Sequence, residues 1–175
     1  MELVEVTIDS IRVSLVSHHR IVVLKDPEDR YLPIWIGPFE ADAITIALQG
    51  GDVARPLTHD LMRNLISETG ASAQHILVSE LRDDIFFARI VLDVDGRHVE
   101  VDSRPSDAIA LAVRLKCPIL VSDSVMEKAS IVPSVSMETA VTAEEVEKLS
   151  AFADLIEDLD LSDLDPSDDP PKAEA

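Results

Sequence analysis

Short stretches in which β-branched and aliphatic residues alternate with polar ones fill the first third of the chain. Leu3 to Ile8, Ile11 to Val16 and Ile21 to Leu24 are too short for helices and read as three strands. Asp26-Pro27-Glu28-Asp29 is a turn, and Tyr31 to Ile36 is a fourth strand carrying Trp35. At Gly37-Pro38 the apolar spacing becomes helical. Pro38 suits the first helical position, Glu40 complements the positive helix end, and Ala43, Ile44, Ala47 and Leu48 make one apolar stripe that stops at Gly50-Gly51.

A second helix follows Arg55-Pro56-Leu57, with Thr58 as its N-cap, Leu61, Met62, Leu65 and Ile66 as its apolar face, and Gly70 as a left-handed stop. Strands are expected at His75 to Leu81, Ile85 to Val94 and His98 to Asp102, the last two joined by the hairpin dipeptide Asp95-Gly96. Pro105 to Lys116 is a third helix, apolar around most of its circumference and therefore largely buried. Pro118 to Val121 is a short strand and Asp123 to Lys128 a helical turn. The pattern predicts a mixed α+β domain over residues 1–135, a mixed sheet or half-barrel with three main helices. Residues 136–158 are a linker in which Val146, Leu149, Phe152 and Ile156 recur at helical spacing after a capped start at Thr142. Residues 159–175 are too acidic to bury a core and are expected to be disordered.

Composition narrows the class. Hydrophobic residues make up 46% of 175 and aromatics 3%, so the core is aliphatic and there is room for one domain of ordinary size. The single cysteine, Cys117, excludes an internal disulfide and suits a reducing compartment. The start of the chain carries Glu2, Glu5 and Asp9 and does not read as a signal peptide, and no segment has membrane-spanning length. Cytoplasmic residence is the expectation. Net charge is −19, of which residues 151–175 contribute −8. The remaining −11 disfavours binding nucleic acid by a broad basic face, so any such chemistry needs a local site.

Two segments share an arrangement: Arg55-Pro56-Leu57-Thr58-His59-Asp60 and Arg104-Pro105-Ser106-Asp107. Each opens a helix with an arginine, a proline, a hydroxyl and an aspartate. Free N–H groups at a helix start, with an adjacent guanidinium, suit a phosphate or carboxylate. Asp60 and Asp107, with Glu40 and Asp42 from the first helix, equally supply hard oxygen ligands for Mg²⁺ or Mn²⁺. The plain alternative is helix capping by the carboxylates and hydroxyls, with Arg55 and Arg104 pairing them internally. His59, beside a carboxylate at a helix start, has the residue type of a general acid or base, although a surface histidine needs no role. The His18-His19 pair reads as a hairpin tip, and His75 and His98 as sheet-face positions. Trp35 and Phe86-Phe87 read as core or interface, and Met126 and Cys117 as packing. There is no phosphate-cradling glycine loop, no CxxC pair and no serine elbow.

Leu32-Pro33-Ile34-Trp35-Ile36-Gly37 with Glu40-Ala41, then Arg55 to Leu61, then Asp102-Ser103-Arg104-Pro105-Ser106-Asp107 running into Ala112, together resemble the bifunctional nuclease domain family over about residues 3–135. The resemblance implies a compact α/β fold, a homodimer with a groove, and activity on both DNA and RNA. By position, it implies groove residues Glu40, Arg55, His59, Asp60, Ser103, Arg104, Ser106 and Asp107. On the nuclease reading His59, Asp60, Asp107 and Glu40 are catalytic. Arg55, Arg104, Thr58, Ser103 and Ser106 bind substrate, with Mg²⁺ or Mn²⁺ as the metal. The alternative is a non-enzymatic dimeric module that holds a small anionic ligand or nucleotide, with a regulatory acidic tail whose partner the sequence does not name.

Overall fold

The computed structural model describes residues 2–13, 19–51 and 53–133. The expectations for His18, for the helix near residues 142–156 and for the acidic end lie outside these residues. Met1–Pro133 forms one compact unit. Its elements run β1 (Leu3–Val13), β2 (Arg20–Lys25), β3 (Tyr31–Ile36), α1 (Pro38–Gln49), α2 (Thr58–Glu68), β4 (Ala71–Arg82), β5 (Ile85–Val94), β6 (Arg97–Ser103), α3 (Pro105–Leu115), β7 (Ile119–Ser122) and α4 (Asp123–Ala129). The seven strands make one mixed sheet in the order β3-β2-β1-β7-β4-β5-β6. Only the β4–β7 pair is parallel. The class is mixed α+β, with a sheet rather than a half-barrel and a fourth helix where a single turn was expected.

The first expected strand and the described part of the second, through Val13, are one. Val4, Val6 and Ile8 face inward at even positions, but Ile11 does so at an odd one, which the sequence pattern registers as a break at Asp9-Ser10. A bulge between Ile8 and Ser10, opposite Leu24 and Val23 of β2, absorbs the change of phase, so one strand continues with its apolar side still inward.

The core forms where α3 crosses the sheet. Ala108 to Ala112 are all buried, and small residues at 108, 110 and 112 let α1 and α2 approach closely on either side. β4 and β5 pack against this helix, and the same buried cluster takes in Ile76 and Val78 of β4, Ala88 and Ile90 of β5, Val121 of β7, and Leu32 and Ile34 of β3. The second helix departs from expectation. Met62 and Ile66 reach the core, whereas Leu61 and Leu65 are more than half exposed. Trp35, expected in the core or an interface, is 58% exposed on the edge strand β3.

Asp26 organises the turn between β2 and β3. Its buried carboxylate accepts the N–H groups of Glu28 and Arg30 and the Arg30 guanidinium, at 2.9, 2.8 and 2.6 Å. Among the described residues, no helix is long and apolar enough to cross a membrane.

Candidate active site at three converging helix starts

The beginnings of α1, α2 and α3 meet at one cavity of about 600 Å³, lined by Glu40, Asp42, His59, Arg104 and Asp107 with Phe39 at its edge. The convergence follows from α3 packing between the other two helices. Pro38 and Pro105 each stand at a first helical position, where a missing N–H costs nothing, and so fix where α1 and α3 begin.

A chain of hydrogen bonds links the three starts. His59 Nε2 lies 3.1 Å from Asp107 Oδ1. Arg104 donates to Asp107 through Nε at 2.8 Å and Nη2 at 3.1 Å, and through Nη1 to Glu40 Oε1 at 2.9 Å. A methyl group at Gly37 would meet the Glu40 carboxylate, the far end of a flexible side chain, which would have to shift. Burial pushes the Asp107 carboxyl up, but the bonds from Arg104 and His59 outweigh it and hold the group below the usual carboxylate range. An ionised carboxylate only accepts, so His59 carries its proton on Nε2. When the ring is neutral, Nδ1 holds the free lone pair. Arg104, although bound on three sides, is 65% exposed and keeps N–H groups to spare for an incoming oxyanion.

The other expected site residues are placed differently. His59 is 8% exposed, so it is a buried residue lining a cavity, and the alternative of a surface histidine does not hold. Thr58 lines the cavity but is not the N-cap. Leu57 holds that position, and Asp60 reaches back to accept its N–H at 2.9 Å. The second Asp60 oxygen takes Arg114 Nε at 2.7 Å, so both oxygens are engaged within the fold. The two Arg-Pro segments are therefore not equivalent. Arg104 is the N-cap of α3 and sits in the network, whereas Arg55 is exposed and makes no ion pair among the described residues. Ser106 is buried and faces a separate cavity beside Trp35 and Ile85. The Ser103 hydroxyl is buried without a partner at the end of β6.

Arg114 is the residue that the sequence reading passed over. Its side chain is 4% exposed, and besides Asp60 it donates through Nη1 to the carbonyls of Ala43 and Ala110, at 3.0 and 2.8 Å. It thus ties α1, α2 and α3 together behind the cavity. The signal was present: a lone cation in an otherwise apolar helix must find a carboxylate. The Leu57 N–H hydrogen bond holds the Asp60 carboxyl below its usual range, burial opposes this, and Arg114 reinforces it.

The residues fit a divalent ion in donor type but not in arrangement. Among the described residues no three metal-ligating side chains converge, and the Arg104 guanidinium stands between Glu40 and Asp107.

One consequence for stability is fixed in sign. Asp26, Asp60 and Asp107 all titrate below their ordinary value in the folded chain. Their contribution is complete above an unfolded pKa of about 3.9 and is lost as pH falls through the lower folded values. Urea midpoints should therefore hold steady from neutrality to roughly pH 4 and then drop. Asp107→Asn should flatten that acid limb. An equally steep limb in the variant would mean that Asp107 gains nothing on folding.

A histidine hydrogen-bonded to a carboxylate, next to an exposed guanidinium in an open cavity, brings together on a mixed α+β scaffold the residue types that acid–base chemistry uses. The chain belongs to the bifunctional nuclease domain family, whose model matches residues 22–134. A protein of Mycobacterium tuberculosis (strain ATCC 25618 / H37Rv), described as uncharacterized, is 40% identical over 87% of this chain and 94% of its own length. Bifunctional nuclease 1 of Arabidopsis thaliana is 30% identical over 59% of this chain, and Bifunctional nuclease 1 of Oryza sativa subsp. japonica is 29% identical over 60%. The matched part spans about a third of each plant protein, 34% and 33% respectively.

Proposed function

We propose that the chain is a nuclease that hydrolyses phosphodiester bonds of DNA and RNA in the cavity at the three helix starts. The observation that carries this reading is the His59–Asp107 hydrogen bond, which leaves Nδ1 as the basic nitrogen. In the proposed step, water attacks phosphorus while His59 Nδ1 takes its proton, and the bond from phosphorus to the leaving oxygen breaks. That oxygen collects a proton from solvent. Arg104 steadies the charged phosphoryl oxygens with its spare N–H groups. Phe39, 83% exposed at the cavity edge, offers its ring to a base. Asp60 acts as a positioning residue that fixes the start of α2. The names of the plant relatives support a nuclease, and an acidic chain with one local guanidinium supports a localised contact over a broad one.

Mg²⁺ or Mn²⁺ enters no step of this proposal, because the Arg104 guanidinium stands between Glu40 and Asp107. A homodimer belongs to the same proposal. Leu61 and Leu65 lie one turn apart on α2 and are both more than half exposed, which gives a second copy an apolar surface to cover. On this reading Leu61→Lys shifts the sedimenting species from dimer to monomer, and a parent chain that sediments as a monomer removes the dimer.

The purified chain should shorten single-stranded DNA and RNA, assayed separately in Mg²⁺, in Mn²⁺ and with a chelator. If a folded preparation turns over neither substrate under any of these conditions, the nuclease reading fails. The non-enzymatic anion-binding module then remains.

A further inference from the structure

A smaller cavity, of about 270 Å³, lies between the end of β3, the turn from β4 to β5 and the start of α3. Arg104 lines both this cavity and the one at His59, so the two are neighbours. Most of its lining is apolar. Trp35 and Ile85, at 58% and 59% exposed, leave an indole ring and an aliphatic side chain uncovered there. The His19 ring stands perpendicular to that of Trp35, with centroids 5.8 Å apart, and helps to fix its orientation.

Among the lining residues, Asp84, Arg104 and Ser106 have polar side chains. Ser106 carries the argument. The residue is 6% exposed and lines the cavity, and its hydroxyl makes no hydrogen bond among the described residues. A hydroxyl in a first helical turn often caps a backbone N–H, but the N-cap of α3 is Arg104 and no side-chain hydrogen bond caps that start. Asp84 has a local reason for its place, since its φ of 61° suits an aspartate in a tight turn. That reason does not extend to an unpartnered hydroxyl on a buried serine beside an uncovered indole.

We propose that this cavity holds a nucleobase, belonging to the nucleotide next to the phosphate that Arg104 takes. One acid and one base leave the lining without net charge, which suits a neutral planar group better than a second phosphate. The base stacks on Trp35 beside Ile85, and its edge meets the Ser106 hydroxyl and the Asp84 carboxylate. Stacking on an aromatic ring with hydrogen bonds at the base edge is how unpaired nucleotides are commonly held. The inference rests on the reading of Arg104 as a phosphate contact, but it concerns binding and needs no turnover.

Trp35 is the only tryptophan in the chain, so tryptophan fluorescence reports on this cavity. Guanosine 5′-monophosphate, titrated into the full chain with a chelator present, should quench that emission saturably; guanine offers a carboxylate two adjacent N–H donors. Ribose 5-phosphate, which keeps the sugar and phosphate and lacks the base, should leave the emission unaltered. An Asp84→Asn/Ser106→Ala double variant should bind the nucleotide roughly tenfold more weakly. Its melting temperature should not change, because asparagine also tolerates the left-handed turn. No quenching of the parent, equal quenching by ribose 5-phosphate, or equal affinity in the folded variant overturns the proposal. Emission that follows chain concentration and ignores the nucleotide also overturns it, since a second copy would then cover Trp35. Saturable quenching by the nucleotide in a chain that cuts nothing would sink the nuclease reading and leave the base pocket standing.

Discussion

Arg114→Ala is expected to remove about 3–5 kcal/mol of stability, the usual loss when one partner of a buried ion pair is deleted. The variant leaves the Asp60 carboxylate, 16% exposed, without its cation, and leaves the carbonyls of Ala43 and Ala110 without that donor. For a domain whose whole stability is on the order of 5–15 kcal/mol, that is a large share. Urea unfolding of parent and variant at neutral pH measures it. Arg114→Lys should recover only part of the loss, because one ammonium cannot reproduce a planar fork that reaches three helices. Asp60→Ala with Arg114→Ala should cost less than the sum of the single changes, as for any directly bonded pair. A loss below about 1 kcal/mol for Arg114→Ala would put the pair in the class of surface bridges, and its role behind the cavity would fall.

For His59→Gln, the expected result is a fall in kcat of about 10²–10⁴, the range for removing a positioned acid–base group, with KM little changed. Glutamine is the informative replacement because its amide still donates to Asp107 and nearly fills the space of a residue that is 8% exposed. Alanine would confound the outcome by opening a cavity. Asp107→Asn should also slow turnover, since the ring loses the ionised acceptor that fixes its proton on Nε2. If His59→Gln keeps kcat within a few-fold of the parent, another group takes the proton and the proposed mechanism is wrong, even if the chain cuts nucleic acid.

Local pattern was a good guide wherever local physics decides. The Asp95-Gly96 hairpin, Gly70 in the left-handed region after α2, Pro38 and Pro105 at helix starts, and the burial of α3 all stand as read. It misled where two local signals compete. The phase break at Asp9-Ser10 looked like a strand end and is a bulge within β1, because the ladder with β2 runs through it from Thr7 to Val13. Thr58 looked like a cap, but Leu57 takes that place and Asp60 supplies the hydrogen bond from the third position of the helix. Leu61 and Leu65 have the spacing of a core face, yet only Met62 and Ile66 turn inward, since α3 and β4 cover just one side of α2.

The candidate site divides along the same line. From the sequence alone come the elements themselves and the residue types gathered at three helix starts. These rest on steric and electrostatic preferences that act over a few residues. Tertiary structure alone decided that the three starts meet, that Arg104 rather than Arg55 joins His59, Asp107 and Glu40, and that Arg114 locks Asp60 from behind. Those choices depend on α3 lying between α1 and α2, which brings together residues 48, 64 and 54 positions apart. No spacing rule along the chain encodes such contacts, because they are set by how the helices share one buried surface.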